Sequence, residues 1–95
     1  MNLTEQVAAS KRLQTIWQFL FTDLGFASEP SPRQYIAWIA LYGEKATEEG
    51  LSRANIWVNK VTKERRITLD DLVRYASACA RNLKEEAKAK AVANG

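Results

Sequence analysis

An all-α, single-domain bundle of about four helices is the fold this sequence predicts, and three observations predict it. Apolar residues recur at spacings of three and four along four separate stretches, the pattern of amphipathic helices. Stop and start signals part those stretches, at Gly25, at Ser31 and Pro32, at Gly43 and at Thr68. No stretch alternates apolar with polar as a half-buried strand does. With 95 residues the chain has room for one thin core.

The first helix is read from Leu3, Val7, Leu13, Trp17, Leu20 and Leu24, with one slip between Val7 and Leu13. Asn2 or Thr4 is its cap, and Gly25 its stop. Ile16, Phe19 and Phe21 fall on other faces. A helix apolar on several faces stands at the centre of a bundle or contributes to an interface.

Phe26 to Pro30 is a break. Ser31 then offers an N-cap, Pro32 fits the first helical position and Gln34 completes a capping box. This second helix runs to about Tyr42 and ends at Gly43. If Ile36 and Ile39 face the core, Trp38 lies to the side. Tyr35, Trp38 and Tyr42 then form an aromatic face, which is expected to serve a protein–protein contact.

A third helix is expected from Glu44 to about Lys60, on Ala46, Leu51, Ala54, Trp57, Val58 and Val61. Its first turn reads as weakly anchored, because Thr47 is polar and Ala46 small. Gly50 inside it costs about 1 kcal/mol relative to Ala, so it marks close approach of another helix or a kink. The β-branched residues from Ile56 to Thr62 leave a short extended segment as an alternative there.

The fourth helix has Thr68 as cap, with Asp70 and Asp71 in the first turn, where the helix dipole favours carboxylates. Leu69, Leu72, Val73, Ala76, Cys79, Ala80 and Leu83 form its stripe. Beyond Asn82 the composition still favours a helix but supplies almost no core. The expected organisation is a bundle domain over 1–84 and a solvated helical or disordered tail over 85–95.

The chain has no His, and Cys79 is its one cysteine. That excludes Cys/His zinc sites, Ser-His-Asp and Cys-His catalytic sets and an internal disulfide. No glycine-rich phosphate loop occurs. The expectation is therefore a non-enzymatic protein with no cofactor and no metal. No apolar run reaches the ~20 residues of a membrane span, and MNLTEQVAAS does not read as a signal peptide. The expected location is cytoplasmic, with no membrane partner.

One constellation carries chemistry beyond folding. Residues 51–95 hold ten basic and five acidic residues, against four basic and six acidic before them. Between Arg53 and Arg66, the cations Arg53, Lys60, Lys63, Arg65 and Arg66 oppose only Glu64. Trp57 lies among them, and Asn55 and Asn59 add amide donors. Cations neutralise phosphates by releasing counterions, and an aromatic ring stacks on a base. The leading expectation is a nucleic-acid-associated binding module, with DNA as partner. The alternative is a protein-interaction module, a homodimer or a modulator of another protein, acting through Tyr35, Trp38 and Tyr42.

The residues from Pro32 to Asn82 resemble the helical C-terminal domains of DnaD-like and phage replication-initiation proteins. The resemblance is carried by Trp38, Tyr42 and Gly43, then Leu51 and Ala54, then the basic connector Lys60 to Arg66, then Leu72 and Tyr75. It covers about half the chain. It implies DNA binding and recruitment of replication proteins, in the setting of a phage or mobile element.

Overall fold

The computed structural model describes residues 2–22, 29–61 and 66–94, with side chains to residue 91 in the last helix. Among these residues are four helices and no strand: α1 (Leu3–Phe21), α2 (Pro32–Tyr42), α3 (Glu44–Val61) and α4 (Leu69–Asn94). The expected stop at Gly25 and most of the break before Ser31 lie outside the described residues. Residues 56–61 are helical, which removes the extended alternative there.

The helix starts follow from side chains that satisfy otherwise unpaired N–H groups. The Asn2 side chain accepts from the Glu5 N–H at 2.8 Å. Ser31 Oγ accepts from the Gln34 N–H at 3.3 Å, and Pro32 opens α2. Thr68 and Asp71 bond reciprocally, each side chain accepting from the other's backbone N–H at 3.2 and 3.1 Å. Gly43, at φ 86°, lets the chain turn sharply from α2 into α3. The first turn of α3 is well anchored, contrary to expectation. Thr47 is buried, and its hydroxyl donates to the Gly43 carbonyl at 2.8 Å.

α3 stands at the centre. Contacts between Arg12 and Glu44 and between Leu20 and Asn55 set α1 parallel to it on one flank. α4 runs antiparallel on the other, with Gly50 against Ala76 and Ala80, and Trp57 against Tyr75. α1 and α4 do not meet, and α2 lies over one face of this layer, touching all three. The molecule is accordingly a slab of 44 × 31 × 18 Å. Helices pack about 8–10 Å apart, so the thickness is that of two layers and the width that of three helices. α1, whose many apolar faces suggested a central place, is a flank. Small residues explain the difference, since Gly50, Ala54, Ala76 and Ala80 let α3 and α4 approach closely.

The core joins Leu13, Trp17 and Phe21 of α1 to Leu51, Ala54 and Val58 of α3 and to Leu72 and Ala76 of α4. Tyr35, Trp38 and Ile39 of α2 close it from above. This corrects the aromatic interaction face expected on α2. Tyr35 and Trp38 are each 1% exposed, and Tyr42 is half-buried against the core. The stripe at 35, 38, 39 and 42 has the i, i+3, i+4, i+7 spacing of a buried face. Ile36 falls beside it and is half-buried. Trp38 also spends its one polar group inside, donating Nε1–H to Ser77 Oγ at 2.8 Å, which donates to the Val73 carbonyl at 2.7 Å.

Candidate nucleic-acid interface

The face of the layer opposite α2 is covered by no helix among the described residues. Through it α3 presents a second stripe, Arg53, Ile56, Trp57 and Lys60, again at i, i+3, i+4, i+7. Arg53, Ile56 and Lys60 are exposed, and Trp57 is half-buried. A central helix covered on one side only leaves this stripe in water, which is why Ile56 is 58% exposed.

Trp57 lies flat on Tyr75 of α4, with ring centroids 4.3 Å apart and planes within 7°. Trp57 is thus at the rim of the core rather than inside it. Arg53 sits one turn back along α3, close enough to Tyr75 and Cys79 to favour the anionic form of each. Burial outweighs that influence and pushes both the Tyr75 hydroxyl and the Cys79 thiol up. A thiol held protonated is a poor nucleophile. Cys79 is half-buried beside the stack, where a small core residue was expected.

Arg66 is exposed just before α4, while Lys63 and Arg65 lie outside the described residues. The described ion pairs are Arg12–Glu44 and Arg74–Asp70, so Arg53, Lys60 and Arg66 are engaged by no carboxylate among the described residues. Arg12 grips Glu44 through two bonds of 2.6 and 2.9 Å. That contact holds the Glu44 carboxyl below its usual range.

Two amides expected near the ligand have structural work. Asn55 Nδ2 donates to the Leu20 carbonyl at 2.7 Å, satisfying one of the unpaired acceptors at the end of α1. Asn59 Nδ2 donates back to the Asn55 carbonyl at 2.8 Å.

The Asn55–Leu20 bond also brings to this face a residue that the sequence set on a spare apolar face of α1 and did not join to the basic cluster. Phe19 and Ile56 are each one residue from that contact, one step back on α1 and one step forward on α3. On parallel helices those steps turn to the same side, away from α2. Phe19 is 82% exposed. The signal for it was in the pattern: an aromatic ring off the Leu13–Trp17–Phe21 stripe. The open face therefore carries Phe19 on α1, Ile56 between Arg53 and Lys60 on α3, and the Trp57–Tyr75 stack at the α4 edge.

A separate groove of about 580 Å³ lies between the α2–α3 corner and the second half of α4. Tyr42, Ala46, Leu83 and Ala87 line it, and lysines and glutamates share its rim, so it selects no sign of charge. Among the described residues no group of three or more His, Cys, Asp or Glu is placed to hold a metal ion, and no helix is long and apolar enough to cross a membrane. Compared with family models, curated proteins and solved structures, the chain matches none.

Proposed function

We propose that this protein is a small, non-enzymatic nucleic-acid-binding module that contacts phosphates through Arg53, Lys60 and Arg66, with Lys63 and Arg65 of the connector as further contacts. The observation that carries the reading is the outward stripe of α3. Arg53 and Lys60 point from an uncovered face with no carboxylate partner among the described residues, and an apolar patch lies between them. Cations without a described carboxylate partner, set around an exposed apolar patch, suit a ligand that is anionic along its backbone and flat in its bases. A replication-accessory role in a phage or mobile element, which the resemblance to DnaD-like domains implies, belongs to the same proposal.

The test is fluorescence anisotropy of labelled DNA, titrated from low to physiological salt. Binding should weaken steeply as salt rises, because phosphate contacts release counterions. Arg53→Glu combined with Lys60→Glu should abolish it while the far-UV circular dichroism stays unchanged, since both side chains are exposed. Binding retained in the folded double variant would overturn the reading.

A further inference from the structure

We infer that the ligand of the open face is a single strand rather than a duplex; the inference rests on the nucleic-acid reading and narrows its substrate class. Three observations lead there.

The first is shape. The major groove of a duplex is about 12 Å wide and admits one helix of about that diameter. α3 does not stand proud. α1 and α4 flank it within a slab 31 Å wide, so it cannot enter a groove.

The second is chemistry. The outside of a duplex offers phosphates and groove edges, with base faces hidden by stacking. Phosphates alone give no role to Phe19, 82% exposed, or to Ile56, 58% exposed. A single strand has unstacked bases, and exposed aromatic side chains bind them with little regard to sequence.

The third is spacing. Arg53 and Lys60 are seven residues apart, or about 10 Å along α3, with Ile56 between them. Phosphates held at the two ends leave an intervening base over the apolar centre, beside Phe19.

The strand then crosses the face with its backbone on Arg53 and Lys60 and a base on Phe19, and its backbone continues to Arg66 at the start of α4. Those three cations give a salt slope of about −2 on a single strand, at about −0.7 for each phosphate neutralised.

The test compares an oligo-thymidine with a mixed-sequence duplex of equal length, by anisotropy at low salt, on the whole chain. The single strand should bind at least about tenfold more tightly. Phe19→Ala should weaken single-strand binding about tenfold, the loss of roughly one stacked base, and leave duplex binding and melting temperature unchanged. Phe19→Trp should retain single-strand binding. Equal or tighter duplex binding, or a Phe19→Ala variant that binds the single strand normally, overturns the inference. In that case salt-dependent binding that is still lost in the Arg53→Glu, Lys60→Glu variant leaves the phosphate reading standing. No binding of either probe at low salt overturns both.

Discussion

Gly50 of α3 lies so close to α4 that a methyl group added to it would stand 2.8 Å from the carbonyl oxygen of Ala76. The same methyl would be 3.1 Å from the Ala80 nitrogen. Both are backbone atoms within a helix, so neither rotates aside. The glycine is therefore the contact point of the central helix pair, and close approach rather than a kink accounts for it.

Gly50→Ala opposes two effects. Helix propensity favours the alanine by about 1 kcal/mol. Overlap with fixed backbone costs about 1–3 kcal/mol and pushes α4 outward. The overlap should win, lowering the melting temperature by several degrees, at about 4–8 °C per kcal/mol for a domain this size. A thermal melt checks it, and a raised melting point would show that the helices part without strain.

Ser77→Ala should destabilise by about 1–3 kcal/mol, because it orphans the indole N–H of a buried tryptophan. Trp38 is 1% exposed and its Nε1–H has Ser77 Oγ as acceptor. Urea unfolding of Ser77→Ala, Trp38→Phe and the double variant gives the coupling directly. Additive losses would mean that the bond contributes nothing. The same burial means that Trp38→Ala damages folding and so cannot serve as a probe of a surface.

Much of this fold was legible in local chemistry. The Ser31–Pro32 start, the Gly43 stop, the Thr68 cap and the stripe of α4 are decided by residues within a turn or two of one another. What was not legible depends on which helix covers which. On α2, Tyr35, Trp38, Ile39 and Tyr42 compete with Ile36 for the core, and hydrophobicity alone favours the isoleucines. Only the placement of α2 across three helices, with Ser77 waiting for the indole, buries the aromatics. The open face divides in the same way. The cations Arg53 and Lys60 stand out in the sequence, but Phe19 is 34 residues from Arg53 in the chain. It joins them only because α1 lies parallel to α3.

Asn55→Ala separates packing from binding at this face. The amide caps the Leu20 carbonyl at 2.7 Å from a half-buried position. Its loss should cost about 1 kcal/mol and speed amide exchange at the end of α1. Nucleic-acid affinity of the folded protein should be unchanged. A selective loss of affinity at unchanged stability would place Asn55 in the ligand contact instead.

The Arg12–Glu44 pair should give the fold a dependence on acid. Hydrogen bonding to Arg12 lowers the Glu44 pKa in the folded state. A depressed carboxyl adds stability above its unfolded pKa, and that stability is lost as pH falls through the folded value. Wild type should therefore lead Glu44→Gln in melting temperature at neutral pH, with the gap closing below the usual carboxylate range. The exposed arginine keeps the effect small and sensitive to salt. A gap that persists at low pH would assign the difference to packing.

Tyr35 should govern the alkaline side. Its hydroxyl is buried with no hydrogen-bond partner among the described residues. Burial, helped by the charge of Glu29, drives its pKa well above the ordinary tyrosine value. A raised folded pKa means that the unfolded chain ionises first. The stability it contributes is complete below the unfolded value, near 10, and is lost as pH climbs above it. Tyr35→Phe removes both the unpaired hydroxyl and that liability. At neutral pH it should be neutral or stabilising by about 1 kcal/mol, because an unsatisfied buried hydroxyl is a net penalty. Above the ordinary tyrosine range, wild type should lose melting temperature faster with pH than the variant, Tyr75 giving both a residual slope. Destabilisation of Tyr35→Phe at neutral pH would reveal an acceptor for the hydroxyl and defeat this account.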